Sequence, residues 1–269
     1  MLENNAPLRL SILAASILTI CGCGREEPTT PTPAAEPPPP AITPGVLTPP
    51  VVNRAAFIQA ANAIASTAAA GSPAVGESLA GRRFVIRQAF GCGASAGAAH
   101  EGAASSAWGP ERKVLNLSLT PADWGSAPLM AGAGDWEAVQ GYWITRPWML
   151  GEGCPAKAAQ ETGDTPVSPS PMTLGLAAVH AVDSSRLGRR TGRSMDFAVR
   201  GVDGQSPVEP VEGYGLVLEG RFVAGPDGRS LRCRSEHPDR RPVCIALTEM
   251  DRIAFTDVSG AVLAEWRGN

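Results

Sequence analysis

Between residues 28 and 50 the chain carries ten prolines in 23 positions, with Thr and Ala supplying most of the remainder (PTTPTPAAEPPPPAITPGVLTPP). Proline has no backbone N–H to donate and its ring fixes φ, so this stretch can be neither a helix interior nor a central strand. It also lacks the apolar residues a core would need. The composition predicts an extended, polyproline-II-like stalk, which at about 3.1 Å per residue reaches roughly 70 Å. The stalk divides the chain. Residues 1–22 precede Cys23, residues 23–50 form the linker, and residues 51–269 are enough for one domain with a sizeable core.

The N-terminal residues read as a targeting segment. Arg9 gives a weakly basic start, and Leu10 to Ile20 (LSILAASILTI) is an apolar run of eleven residues. A membrane-spanning helix needs about 20 such residues, so this run has the length of a signal-peptide core. Ile20-Cys21-Gly22-Cys23 follows. The order of charge, apolar run, small residue and cysteine resembles the signal peptide and lipobox of bacterial lipoproteins. Gly22 supplies the small side chain before the modified Cys23, and Cys21 stands where Ala or Ser is commoner. The resemblance implies a diacylglyceryl thioether on Cys23 and a further acyl chain, such as palmitate, on its amine. Two or three chains make a stable membrane anchor where one does not. Gly24, in place of Asp, implies the outer membrane and a periplasm-facing domain in the cell envelope. The alternative is an ordinary secretory signal that leaves a soluble periplasmic protein.

Net charge is −3, from 23 basic and 26 acidic residues, which argues against a general nucleic-acid binder.

The domain opens with helical spacing. Asn53 can cap, Phe57, Ile58, Ala61, Ile64, Ala65 and Ala68 recur on one face, and Gly71 with Pro73 stops it. The remainder alternates as strands do. Phe84, Ile86 and Phe90 oppose Arg83 and Arg87; Leu115, Leu117 and Leu119 oppose Asn116 and Ser118; Met195, Phe197 and Val199 oppose Asp196 and Arg200. Tyr214, Leu216, Leu218 and Phe222 follow, then Val243, Ile245 and Leu247, then Ile253 and Phe255, and a turn at Asp257–Gly260 leads to a last strand reaching Trp266. Met172–Val182 fits both periods, and the polar stretch 152–171 reads as a surface loop. Alternation without intervening helices predicts a mainly β domain: an antiparallel sandwich or barrel with a short N-terminal helix.

Beyond the lipobox stand Cys92, Cys154, Cys233 and Cys244. In an oxidising compartment four cysteines read as two disulfides, for which three pairings exist. Cys233 and Cys244 flank a short turn-rich stretch between strand-like runs, which favours their pairing and leaves Cys92 with Cys154. In a chain-entropy model the short loop is worth about 3 kcal/mol and the long one somewhat more. No C-x₂-C spacing occurs, and His100, His180 and His237 are scattered, so neither a metal site nor a cofactor is expected.

Gly93-Ala94-Ser95-Ala96-Gly97 satisfies the G-x-S-x-G nucleophile pattern, with Ser95 as candidate nucleophile. In a chain this rich in Gly and Ser the pattern arises readily by chance, and the body lacks the strand–helix alternation a hydrolase needs. The domain is therefore read as non-enzymatic. Four of six Trp lie at 124, 136, 143 and 148. If Tyr142–Trp148 is a strand, Trp143 and Trp148 fall on opposite faces, and an exposed ring beside Arg146 could stack on a sugar. This makes Trp143, Arg146 and Trp148 candidate ligand residues for a cell-wall glycan, against the plainer reading that the rings fill the core. Arginines cluster at 186–193 and 232–241, where an anion site or a solvated face are both possible. Partners are thus a membrane through the lipid, and an envelope protein or glycan through the domain.

Overall fold

The computed structural model describes residues 49–71, 78–92, 100–156, 171–181 and 193–268. The targeting segment, Cys23, nearly all of the proline stretch, Ser95 with its glycines, and Arg186, Arg189 and Arg190 lie outside the described residues.

Helix α1 (Arg54–Ala69) starts directly after the prolines, as the spacing predicted. The Asn53 side chain accepts the Ala56 N–H at 2.9 Å, satisfying one of the free donors of the first turn. Gly71, at φ +66°, ends it. The buried face is Phe57, Ile58, Ala61, Ile64 and Ala65, joined by Arg54.

Among the described residues eleven strands follow: β1 (Arg83–Phe90), β2 (Ala104–Trp108), β3 (Val114–Leu119), β4 (Ala122–Asp123), β5 (Ala138–Trp143), β6 (Leu174–His180), β7 (Met195–Arg200), β8 (Tyr214–Phe222), β9 (Leu231–Arg234), β10 (Val243–Thr256) and β11 (Val262–Arg267). They build a three-stranded sheet, β2-β3-β7, and an eight-stranded one. Leu115, Leu117, Leu119 and Met195 from the small sheet share one core with Phe84, Ile86, Leu216 and Leu218 from the large sheet and with the apolar face of α1. Phe222 stands at its centre, 5.5 Å from Phe57 and 4.8 Å from Phe84 between ring centroids.

The domain is mainly β, with two packed sheets. It is not a barrel: the long sheet runs β1-β8-β10-β6-β5-β4 and stays open at β1 and β4. The β1 edge is partly occupied by other chain. Val52 donates to Arg83 O and accepts from Val85 N, and Ala89 N donates to Glu152 O at 2.8 Å. Such cover is one way an edge strand is kept from pairing with another molecule. Among the described strands one pair is parallel, β6 with β10, as is the isolated Val52–Phe84 bridge, and the other strand pairs are antiparallel.

Strand β10 is the spine. Its first half pairs with β9 and β6, its second half with β8 and β11. The register shifts between Met250 and Arg252, so one extra residue turns the strand over. Ile245 and Leu247 therefore point to the outer side, whereas Ile253 and Phe255, of the same sequence parity, point into the main core. Two apparent short strands are one long strand with a bulge.

The outer side of the first half carries a second core. Trp124, Met130, Ala133 and Val139 pack there over Ala177, Val179, Ile245 and Leu247. Strand β6 thus has apolar cover on both faces, and every one of its seven residues is buried. A strand buried on both faces loses its alternation, which is why Met172–Val182 fitted both periods. Among the described residues no helix is long and apolar enough to cross a membrane.

Candidate functional site

Among the described residues no such cover forms on the outer side of the second half. Antiparallel register lays Arg87, Val217, Ala254 and Glu265 in one row across β1, β8, β10 and β11, and Ala89, Gly215 and Thr256 in the next. The small Ala89 and Gly215 leave a hollow. A cavity of about 440 Å³ lies here, lined by Arg87, Ala89, Gly215, Val217 and Thr256 with Glu152–Cys154, Glu212–Tyr214 and the Asp257–Gly260 turn around it. That volume falls within the range of small-molecule sites, roughly 300–1,000 Å³.

The Thr256 side chain is buried to 8 % exposure and has no hydrogen-bond partner among the described residues. A Cβ on Gly215 would come within 2.2 Å of its Oγ1, which places the hydroxyl over the glycine on the cavity side. Asp257 is occupied by its own turn: Oδ1 accepts from Ser259 N and Ala261 N, each at 2.9 Å, and from Ser259 Oγ at 2.7 Å. These bonds, the Ser259 hydroxyl foremost, hold its carboxyl below the ordinary carboxylate range. Arg87, Glu152 and Glu212 make no ion pair and no side-chain hydrogen bond among the described residues, although all three line the cavity. Tyr214 is pushed above the usual phenol value by burial and by the charge of Glu209.

The wall that carries Glu152 is held from behind. Arg54, 1 % exposed, donates from Nη2 to Thr145 O at 2.7 Å and Arg146 O at 3.0 Å, and from Nε to Met149 O at 3.2 Å. Its Nη1 meets the buried Gln88 Oε1 at 3.2 Å, and that oxygen also accepts from Thr145 N at 3.0 Å. Gln88 Nε2 donates to Trp143 O at 3.0 Å. Burial, with Arg146 nearby and against the pull of Glu152, lowers the Arg54 guanidinium to about 10, so it remains charged at neutral pH. A buried charge is tolerable only when its donors are met, and three carbonyls and an amide meet them here. Beyond this clamp Arg146 lies at φ +50°, a left-handed conformation costing a non-glycine residue about 1–3 kcal/mol. Its guanidinium reaches Ala89 O. The Cys92–Cys154 disulfide fastens the end of the segment.

Both disulfides have the pairing read from the sequence. Cys233–Cys244 joins directly opposed residues of β9 and β10, and Cys92–Cys154 borders the cavity. The three candidate glycan residues are not brought together. The Tyr142–Trp148 strand ends at Trp143, because Arg146 turns the chain and Pro147 follows. Trp143 packs edge-on against Trp124, 4.6 Å between centroids, in the second core. Arg146 serves the Ala89 carbonyl, and Trp148 alone is open, at 55 % exposure. The 232–241 arginines largely fasten the fold: Arg232 binds Ala131 O, Gly132 O and Asp227, Arg234 binds Pro128 O, and Arg241 reaches Asn62. Among the described residues no three His, Cys, Asp or Glu side chains gather as metal ligands.

Arg54 and Gln88 were not among the sequence candidates. Gln88 left a sign, since it occupies the apolar parity of Phe84, Ile86 and Phe90. Arg54 left none, because an arginine in a first helical turn is ordinarily solvated. The cavity has no polar or nucleophilic signature in sequence, being made by what small residues leave out.

No known protein family, curated protein or solved structure matches this chain.

Proposed function

We propose that the chain is a lipid-anchored protein of the cell envelope, attached to the outer membrane through Cys23, with a non-enzymatic binding domain on a proline-rich stalk. The observation that carries this reading is the use of the cysteines. The four beyond the lipobox pair with one another, as suits an oxidising compartment. The binding role is supported by the cavity, whose wall is held by the hydrogen bonds of Arg54 and Gln88. The lining offers charges and a hydroxyl, groups suited to recognising a polar ligand.

Cells expressing the full chain and its Cys23→Ala variant, fed a radiolabelled palmitate, test the anchor. The parent chain takes up label and sediments with membranes, and the variant does neither. Equal labelling, or an unchanged membrane fraction in the variant, refutes the anchor at Cys23.

A further inference from the structure

We infer that the cavity beside β1 and β8 takes a small zwitterion, a free amino acid or a short peptide, with its ammonium between Glu152 and Glu212 and its carboxylate on Arg87. The inference rests on the reading of the domain as a binding module and names its ligand class.

Opposite charges line one cavity of about 440 Å³ without pairing with each other. Here Glu152 lies on the loop wall, Glu212 just before β8 and Arg87 in the middle of β1, all three exposed along the lining of the same cavity. A molecule with a cation at one end and an anion at the other spans such a gap and satisfies both ends at once. Guanidinium and carboxylate meet in a bidentate fork, and carboxylates receive an ammonium's donors, so both contacts are of the stronger, charge-assisted kind.

The Thr256 hydroxyl is the independent sign. It is more than nine-tenths buried, lacks a partner among the described residues, and projects over Gly215 on the cavity side. A hydroxyl so placed meets its hydrogen bonding through what occupies the hollow, and it can both donate to a peptide carbonyl and accept from a peptide N–H. Asp257 takes no part, because its turn already uses it. The clamp of Arg54 and the Cys92–Cys154 bridge keep Glu152 in position before a ligand arrives, which lowers the ordering cost of binding.

The test is calorimetric titration of the full lipidated chain in detergent with trialanine, N-acetyl-trialanine and trialanine amide. Trialanine binds saturably, and blocking either terminus weakens it at least tenfold. Glu212→Gln removes the loss caused by acetylation, and Arg87→Gln removes the loss caused by amidation, so each variant names the end it recognises. Gly215→Ala, which places a methyl at the Thr256 hydroxyl, abolishes binding while the melting curve keeps its shape. Equal binding of the three peptides, binding of the amide alone, or no heat with any of them up to 10-millimolar order (about ten times a weak 1 mM site) overturns the zwitterion assignment. Palmitate labelling of the same preparation reports separately on the anchor, so a labelled chain that ignores all three peptides refutes the ligand and leaves the anchored protein standing.

Discussion

The two outer halves of the long sheet use the same device to opposite ends. Over β5 and β6, Gly141 and Gly175 clear a space, and a Cβ on either would come within 2.1 and 2.5 Å of the Trp124 ring. The protein fills that space with its own indole, and a second core grows around it. Over β8, Gly215 clears a comparable space, and the nearest side chain is the small Thr256 at 2.2 Å. No large side chain of the described residues enters, and the space is a cavity. A missing side chain thus becomes packing or a pocket according to what the facing segment brings. The 122–137 segment brings a tryptophan, whereas the 152–154 and 257–260 segments bring acids and a turn.

The contrast is sharpest in stability. Trp124→Ala empties the covered half, and loss of a large buried aromatic costs about 3–5 kcal/mol, read as a fall in the urea midpoint. A loss under about 1 kcal/mol would mean that the second core contributes little. The glycines come next. Gly141→Ala drives a methyl into a packed indole and costs about 1–3 kcal/mol. Gly215→Ala meets a hydroxyl that can rotate away, and its cost stays below about 1 kcal/mol. Equal losses from the two substitutions would erase the distinction between the halves.

The smallest effect belongs to the open half, whose outer face is spanned by ion pairs in place of apolar cover. Arg252 binds Glu219 at 2.6 Å and Glu265 at 2.8 Å, and Arg267 binds Glu265 at 3.0 Å. Hydrogen bonds from Arg267, then Arg252, lower the Glu265 carboxyl from 4.5 to about 2. Its folded value lies below its unfolded one, so its contribution is complete above about pH 4.5 and fades as the pH falls toward 2. Urea midpoints of the parent and Glu265→Gln should therefore differ slightly at pH 6, with the gap narrowing steadily as the pH falls from about 4.5 toward 2. A gap that stays constant across this range would show that the carboxylate is not coupled to folding.

What could be read in advance followed the same division. Helix α1 and strands β1, β3, β7 and β8 were legible because each has one wet face and one dry face; Cys233–Cys244 was legible from the short turn between them, and Cys92–Cys154 followed by exclusion. The ambiguity of Met172–Val182 came from burial on two sides, which removes the alternation that tells strand from helix. The continuity of β10 was hidden by a single extra residue near Asp251, since a bulge preserves the apolar count while exchanging faces. Placing Trp143 in the second core, away from solvent, required knowing that Trp124, 19 residues earlier, packs against it. No local pattern encodes that pairing, nor the position of Arg54 beneath a loop 91 residues away.

The route by which the chain enters the domain has a mechanical consequence. Immediately after Pro50, Val52 makes two backbone bonds to β1, and two residues later Arg54 is locked under the Thr145–Met149 turn. A tension applied through the proline segment arrives first at these bonds, before it reaches the helix or the core. The fold is fastened where the chain enters it, so a pull at Pro50 is met first by the Val52 and Arg54 bonds, and the cavity wall on the other side of Arg54 lies next in the line of force.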